Sequence, residues 1–523
     1  MTAVNVTGTS SGVFDVWLST YHWANATITY SFPADGSTYS YLSTGDVTPI
    51  SASQQAAVRQ VLGEIASFTG LTFSEVTESA VTQGDLRFGA DINTGGAYAW
   101  LPESHERGGD VFFGSGTDNP QIGNEAYLFF THEIGHAMGL NHGHEYQSFK
   151  DSGFDSQEFT VVTYTDYVGD TDTFSYDSGV IDWAQSYMLL DIAAMQFLYG
   201  ANYATTGEVW SGDTVYTFDP LTGEMTINGI GQGTPAGNRI FRTIWDGDGS
   251  DTYDLSNYGT DLDIDLAPGG WSTFSVDQLA DLNRHSASTI YDARGNVANA
   301  LLVDGDNRAL IENAIGGVGN DTIFGNDAAN NLRGKGGSDH MKGRSGDDTL
   351  LGNAGKDKLV GGNGADTIVG GNGKDKLTGG NGDDTLDGGD KDDRLYGDGG
   401  KDILLGEGGN DTLTGGKGMD IMTGGAGQDT FRFEFVTDSK KSGGSDIIKD
   451  FSCGEDTLDF EGLVAGVLTL SIDGAFTGTG ASVITEQVGG DIWVNVDVDG
   501  DSSSDFRVIL EGTPLVTTGD FIL

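Results

Sequence analysis

The sequence predicts an α+β first domain followed by an all-β parallel β-roll. The chain has 523 residues, more than one hydrophobic core usually serves, so two or more domains are expected. Most aromatic residues precede about Trp271, whereas residues 316–427 are dominated by Gly, Asp, Asn and Leu, a composition unlike that of an ordinary packed core. We therefore expect domains at 1–205 and 206–523, with a boundary between Ala201 and Gly212.

The charge balance points to bound cations. Lys and Arg total 26 against 78 Asp and Glu, a net charge of -52, which repels nucleic acid and anionic lipid and favours calcium. A halophilic or merely soluble surface would scatter its carboxylates instead of placing them in register. Cys453 is the single cysteine, so no intramolecular disulfide can form, and no apolar run reaches transmembrane length.

The first domain begins with mixed helix and strand signals. Ser51 and Gln54 form a capping box at the start of an amphipathic helix. Its apolar face carries Val58, Val61, Leu62 and Ile65. The segments LTFSEV from Leu71 and DLRFGA from Asp85 alternate as strands do.

A metal-binding pattern follows on a second helix. Residues 124–142 read NEAYLFFTHEIGHAMGLNH, in which the apolar periodicity ends at Gly139. His132 and His136 are four residues apart and share one helical face, and His142 returns from beyond the turn. Three protein ligands leave a fourth position open, as a catalytic zinc site requires.

Glu133 is the predicted general base. It follows a ligand by one residue, so its carboxylate is rotated off the metal-facing line and can reach a water held there. A structural zinc site or histidines packed by chance are the alternatives, and the Glu and Gly at their required positions count against both. His144 has no place in the pattern, and we expect it at the rim or in solvent.

The pattern H-E-x-x-H-x-x-G-x-x-H is the metzincin signature, and FTHEIGHAMGLNH resembles the serralysin version of it. AYAWLP at 97–102 resembles the strand that aligns a peptide substrate antiparallel across the family's cleft. LLDIAAMQFLYGAN at 189–202 resembles the helix that closes the catalytic domain. The resemblance implies a secreted zinc endopeptidase made as a zymogen with an inhibitory N-terminal propeptide.

The family also has a Met-turn below the metal, and TVVTY at 160–164 is the best match to it. By resemblance, Tyr164 would bind zinc at rest and later hydrogen-bond the oxyanion. Val162 stands where the family has methionine, and Gly143 stands where proline is common. The shorter valine should loosen the orientation of the ligands, and zinc affinity with it.

A nine-residue period begins at Asp321, and only Asn330 breaks its series of aspartates. The predicted calcium ligands in the series are Asp321, Asp339, Asp348, Asp357, Asp366, Asp375, Asp384, Asp393, Asp402, Asp411, Asp420 and Asp429. An apolar residue follows each by two positions, which gives the RTX nonapeptide G-G-x-G-x-D-x-U-x over about 316–431. Stacked turns would cage calcium, and without it we expect a disordered Gly/Asp-rich segment.

Two further segments, 245–252 and 312–321, resemble the family's first calcium sites. The resemblance implicates Thr214, Asp246, Asp251, Glu312 and Asp321 as ligands.

The ends of the sequence bear on export. The first residues lack the basic start and apolar middle of a cleaved secretory signal. Asp520 and the three apolar residues after it resemble the uncleaved signal read by an ABC-type exporter, although they could equally be a final strand. The resemblance also implies a monomer that acts on proteins or peptides, with a small protein inhibitor as a further partner and no stable membrane insertion. The alternative, motivated by Val162, is a weakened or inactive calcium-dependent adhesion protein.

Overall fold

The computed structural model describes residues 3–5, 17–42, 46–79, 81–170, 178–203, 212–283, 291–440, 444–463, 468–513 and 515–523. The chain forms two compact units. The first comprises residues 1–253 and 268–311, and the second comprises residues 254–267 and 312–523. The boundary predicted between residues 205 and 206 lies outside the described residues and stays a prediction.

The helices are α1 (Ala52–Phe68), α2 (Glu125–Ala137), α3 (Gln147–Lys150) and α4 (Leu189–Tyr199). None of the described helices is long and apolar enough to cross a bilayer. The strands up to residue 299 are β1 (Ala3–Asn5), β2 (Tyr21–Trp23), β3 (Thr27–Ser31), β4 (Val47–Thr48), β5 (Thr72–Glu75), β6 (Leu86–Asp91), β7 (Ala97–Ala99), β8 (Asp110–Phe113), β9 (Val215–Phe218), β10 (Met225–Ile227), β11 (Ile230–Gly231), β12 (Arg242–Ile244), β13 (Thr252–Asp254), β14 (Asp263–Asp265), β15 (Trp271–Ser272) and β16 (Val297–Asn299).

The later strands are β17 (Asn313–Ile315), β18 (Thr322–Phe324), β19 (Asn331–Gly336), β20 (His340–Ser345), β21 (Thr349–Ala354), β22 (Lys358–Asn363), β23 (Thr367–Asn372), β24 (Lys376–Asn381), β25 (Thr385–Asp390), β26 (Arg394–Gly400), β27 (Ile403–Gly408), β28 (Thr412–Gly418), β29 (Ile421–Thr423), β30 (Thr430–Arg432), β31 (Asp446–Ile448), β32 (Thr457–Asp459), β33 (Thr469–Ser471), β34 (Ser482–Val488), β35 (Asp491–Asp497), β36 (Phe506–Leu510) and β37 (Phe521–Ile522).

The first unit is built on a sheet with strand order β5-β3-β6-β8-β7. Strands β5, β3, β6 and β8 run parallel, whereas β7 pairs antiparallel with β8 and forms the edge. Ser51 caps the N-terminus of helix α1. Its side chain accepts from the Gln54 N–H, and the Gln54 side chain accepts from the Ser51 N–H. The apolar face of α1, with Val58 and Ile65, is fully buried in the same core as helices α2 and α4.

The second unit contains the repeats, and its strands alternate between two sheets. One sheet runs β17-β19-β21-β23-β25-β27-β29-β31-β36-β35-β34-β33, and the other runs β14-β18-β20-β22-β24-β26-β28-β30-β32-β37. Equivalent residues pair in parallel 18 positions apart, for example Leu350 with Ile368 and Leu359 with Leu377. Two nonapeptides therefore make one turn, and the prediction of a parallel β-roll is confirmed.

Each repeat strand buries one apolar side chain between the sheets. Leu386, Leu395 and Leu404 are fully buried, while the residues on either side face outward. This alternation of period two fixes the register, because a slip of one residue would expose the whole apolar row.

Replacing Leu404 with Ala should cost about 2–5 kcal/mol of unfolding free energy, because it leaves a cavity between the two sheets. Its neighbour Ile403, which is 40% exposed, supplies the matched control. Ile403→Ala should cost about 1 kcal/mol or less. Calorimetry in calcium would measure both, and equal losses would contradict this packing.

Candidate metal centre

Helix α2 holds the first two predicted ligands. It begins at Asn124, whose side chain accepts from the Tyr127 N–H, and its residues from Phe130 to Ala137 are buried. The helix ends where Gly139 adopts a φ of 106°, a conformation that favours glycine. The chain then reverses and brings His142 back toward the helix.

The three histidines meet at their Nε2 atoms. The Nε2–Nε2 distances are 3.1 Å between His132 and His136, 3.0 Å between His132 and His142, and 3.0 Å between His136 and His142. Neutral imidazole nitrogens grouped this closely are the donor set that zinc takes in catalytic sites. The structure thus brings together all three residues that the motif predicted.

The opposite ring nitrogens are fixed by the protein. His132 Nδ1 donates to the Val161 carbonyl at 2.8 Å, and His136 Nδ1 donates to the Leu140 carbonyl at 2.6 Å. Burial lowers the pKa of His132 well below its usual range, and it lowers the pKa of His136 to about 4. Both rings are therefore held neutral, with Nε2 free to face a metal.

His142 is held more loosely than the helical pair. Its Nδ1 lies 3.4 Å from a Glu145 carboxylate oxygen, and burial lowers the pKa of His142 to about 4. Because both partners lie on the same short segment, this bond orients the ring without fixing the segment itself.

Glu133 shares a cavity of about 320 Å³ with His136, His142 and Tyr164. Its side chain is buried, and burial raises the pKa of Glu133 to about 8. A carboxylate that is poorly solvated and opens onto the cavity can take up a proton readily. Residues of β7 line another wall of the same cavity.

Tyr164 lies beside the histidines. Its ring is parallel to that of His132, with centroids 5.6 Å apart, and its centroid lies 4.8 Å from that of His142. Burial, followed by the charges of Glu133 and Glu145, raises the pKa of Tyr164 above its usual value. The phenol is therefore held in its protonated, hydrogen-bond-donating form.

Val162 is fully buried, and its side chain faces Gly135 of helix α2. A Cβ atom built on Gly135 would lie only 3.0 Å from Val162 Cγ1. The segment that replaces the Met-turn therefore approaches the helix about as closely as glycine permits.

Two residues that support the site were missed from the sequence. His144, which the sequence placed at the rim or in solvent, lies beside the site, and its Nδ1 accepts from the Tyr164 backbone N–H at 3.3 Å, a contact that the sequence did not predict. Asp191 of α4 is fully buried and accepts from Thr160 Oγ1 at 2.6 Å and the Val161 N–H at 2.8 Å. Neither contact has a local sequence signal, because the partners lie 20 to 31 residues apart.

The predicted calcium ligands of the repeats form stacked rows. Within a row, the backbone N–H of one repeat aspartate donates to Oδ1 of the aspartate 18 residues later. The Asp339 N–H, for example, donates to Asp357 Oδ1 at 2.8 Å. The other oxygen, Oδ2, is buried and has no hydrogen-bond partner among the described residues at Asp339, Asp348, Asp357, Asp366, Asp375, Asp384, Asp393, Asp402, Asp411, Asp420 and Asp429. Burial raises the pKa of Asp348 and Asp411 to about 7.

Glycine makes room for these carboxylates. A Cβ on Gly343 would lie 2.0 Å from Asp348 Oδ2, and one on Gly361 would lie 2.1 Å from Asp366 Oδ2. Buried carboxylate oxygens that lack a hydrogen-bond partner among the described residues suit an oxygen-seeking cation, so the residues present fit calcium.

The predicted calcium ligands in and near segments 245–252 and 312–321 are divided between the two units. In the first unit, Asp246 Oδ1 is buried without a hydrogen-bond partner among the described residues, and Thr214 hydrogen-bonds to both Asp246 and Asp251. In the second unit, both oxygens of Asp321 accept backbone N–H groups, from Leu262 and Gly317. Glu312 is half-buried in that unit.

The rows continue beyond the predicted series. Asp446 and Asp456 accept from the N–H groups of Asp420 and Asp429, each at 3.0 Å. The separations are 26 and 27 residues instead of 18, so inserted residues hide the continuation from a nine-residue scan. The pattern Asp-x-apolar still marks both positions, at DII and DTL.

Comparison with known proteins gives the family context. Residues 269–523 match the family described as Peptidase M10 serralysin C terminal. This stretch, 255 of the 523 residues, is therefore similar to the C-terminal part of serralysins. Serralysin of Proteus mirabilis is 31% identical over 333 residues, which cover 59% of this chain and 61% of the relative. Serralysin B of Dickeya chrysanthemi is 34% identical over 321 residues, which cover 57% and 58%.

Metallopeptidase AprA of Pseudomonas marginalis is 30% identical over 329 residues, which cover 58% of this chain and 61% of the relative. The chain thus spans about three fifths of the length of the serralysins and metalloproteases that it matches. Over that length it is homologous to metalloproteases.

Asp191→Asn should weaken zinc binding about 10–100-fold, because it disturbs the bonds that hold the Val161 carbonyl against His132. Competition with a chromophoric chelator would measure the affinity. Asp151→Asn, at an exposed aspartate, is the control and should leave it unchanged. Equal affinities in the two variants would show that Asp191 does not position the ligand.

Proposed function

We propose that the protein is a secreted, zinc-dependent endopeptidase of the serralysin type, with a catalytic domain at 1–205 and a calcium-binding RTX domain at 206–523. The observation that carries this proposal is the approach of three Nε2 atoms to 3.0–3.1 Å beside the buried Glu133 in one cavity. The homology to metalloproteases supports the same reaction class.

His132, His136 and His142 would hold the zinc ion, and Tyr164 lies close enough to join them at rest. Zinc at this place would supply a Lewis acid for the scissile carbonyl and a more acidic water. The Val161 and Leu140 carbonyls keep the ligand rings neutral and correctly turned.

Glu133 acts as the general base in this proposal. Its carboxylate takes a proton from the attacking water and passes it to the leaving amine. Tyr164 donates its phenolic proton in a hydrogen bond to the oxyanion of the substrate. The edge strand β7 offers backbone groups to which an extended peptide can add as a further strand.

The roll has a separate role in the proposal. Calcium would pair with the orphaned Oδ2 atoms of the repeats, so the roll folds outside the cell, where calcium is plentiful. The proposal also includes export by an ABC-type exporter, synthesis as a zymogen and binding by a small protein inhibitor. The last residues form β37, which pairs with β32, and the export signal there remains a proposal.

A calcium-dependent binding protein without catalysis is the second candidate. Val162, in the place of the Met-turn methionine, is the observation that favours it. Zinc binding without peptide cleavage would distinguish it from the protease.

Glu133→Gln should lower cleavage of casein by about 10²–10⁴-fold, because the amide cannot take the proton from water. Zinc content, measured by elemental analysis, should stay unchanged. Glu125→Gln, at an exposed position in the first turn of the same helix, should cleave casein like the wild-type protein. A wild-type protein that binds zinc and cleaves nothing would leave only the second candidate.

Asp384→Asn should raise the calcium concentration needed to fold the roll, on the order of tenfold, because it removes a buried anionic ligand. Its exposed neighbour provides the control, and Asp383→Asn should have a much smaller effect. Circular dichroism during a calcium titration would measure both midpoints. Equal midpoints would contradict calcium binding at the buried row.

A further inference from the structure

The second unit carries a row of basic side chains along one sheet. The parallel register aligns His340 with Lys358, Lys358 with Lys376, and Lys376 with Arg394. Neighbouring strands lie about 4.8 Å apart, so Lys358, Lys376 and Arg394 present one cationic group at each such interval. Lys358, Lys376 and Arg394 are exposed.

Two more lysines widen this row into a groove. Lys356 and Lys374 lie beside Lys376 and Arg394 in a surface groove of about 380 Å³. The groove also contains Asp392, whose carboxylate accepts from Lys374 Nζ. We call this surface the basic face and define it as His340, Lys356, Lys358, Lys374, Lys376 and Arg394.

The charges of the row are not neutralised by carboxylates. In the part of the chain that the structure describes, no ion pair involves Lys358, Lys376 or Arg394. Lys376 Nζ instead lies 4.8 Å from the centre of the Tyr396 ring. Burial, followed by repulsion from Lys358 and Lys342, lowers the pKa of His340.

The aligned row of cations lies on one of the two sheets of the roll. On the opposite sheet the equivalent row reads Asn331, Thr349, Thr367, Thr385 and Ile403. A chain with 78 acidic and 26 basic residues thus gathers unpaired cations at one place. Solubility requires no such arrangement, whereas recognition of an anion does.

The buried aspartates next to the row need not oppose this recognition. Asp357, Asp375 and Asp393 directly precede Lys358, Lys376 and Arg394, and all three carboxylates are buried. In the calcium-bound roll proposed above, divalent cations neutralise them, so the outward field of the basic face is positive.

We propose that the basic face binds a linear acidic polysaccharide that carries a carboxylate on successive sugars. The cations recur along a straight line at an interval comparable with the length of one sugar unit, as such a polymer requires. Asn410 and Thr412, at the end of the groove, offer hydrogen bonds to sugar hydroxyls. Single-stranded nucleic acid fits less well, because its bases need free aromatic rings and Tyr396 is covered by Lys376.

The test uses the full calcium-loaded chain and short soluble oligogalacturonides, with affinity measured by titration calorimetry. The triple variant Lys358→Gln, Lys376→Gln and Arg394→Gln should bind on the order of tenfold more weakly than the wild-type protein. The matched control replaces Arg333, Lys335 and Lys401, which lie outside the basic face, with Gln and should bind like the wild-type protein. Added salt should weaken wild-type binding.

Fully methyl-esterified oligogalacturonide provides an arm that needs no variant, and it should not bind. The proposal would be overturned if the ester bound the wild-type protein as tightly as the free acid does. It would also be overturned if the triple variant bound the free acid as tightly as the wild-type protein does, because calcium bridging carboxylates of both partners would then explain the binding. Tighter binding of single-stranded DNA of similar length would also overturn it, in favour of nucleic acid. Casein cleavage by the triple variant should be unchanged, so this result is separate from that of the proposed protease function.

Discussion

The second unit depends on carboxylates buried in rows with one oxygen of each left unpaired. Oδ1 of each repeat aspartate accepts a backbone N–H from the preceding turn, which ties successive turns together. Oδ2 has no hydrogen-bond partner among the described residues, and burying a charge in this state is costly. The same side chain therefore joins the turns and opposes their stacking, and a divalent cation bound at Oδ2 would remove this opposition. In the proposed calcium-binding domain, folding of the roll and cation binding are therefore one process.

The candidate metal centre uses a different kind of support. Its ligands are neutral rings whose outer nitrogens bond to backbone carbonyls, so the set is held together before any ion arrives. The Val161 carbonyl is fixed in turn by Asp191, which links helix α4 to His132 through two hydrogen bonds. The first unit can thus keep its geometry by packing and hydrogen bonding, whereas the roll needs charge compensation.

Local periodicity decided how much could be read from the sequence. The capping box at Ser51, the helix that carries His132 and His136, and the parallel roll all follow patterns within a few residues, and the structure has each of them. Asp191 and His144 could not be found this way, because their partners are distant in sequence and polar residues carry no periodic signal. Asp446 and Asp456 keep the local pattern and lose only the spacing, so a search for Asp-x-apolar without a fixed period would have found them.

The valine at position 162 is consistent with the geometry around it. Its Cγ1 would lie 3.0 Å from a Cβ on Gly135, so the segment already contacts the helix that carries two ligands. A longer side chain in this space would have to push the helix away or adopt another rotamer. Because Val161 on the same segment bonds to His132, a shift of the segment would also turn that ring. The short side chain and the close approach therefore belong together, and the looser ligand set expected from Val162 stays a prediction.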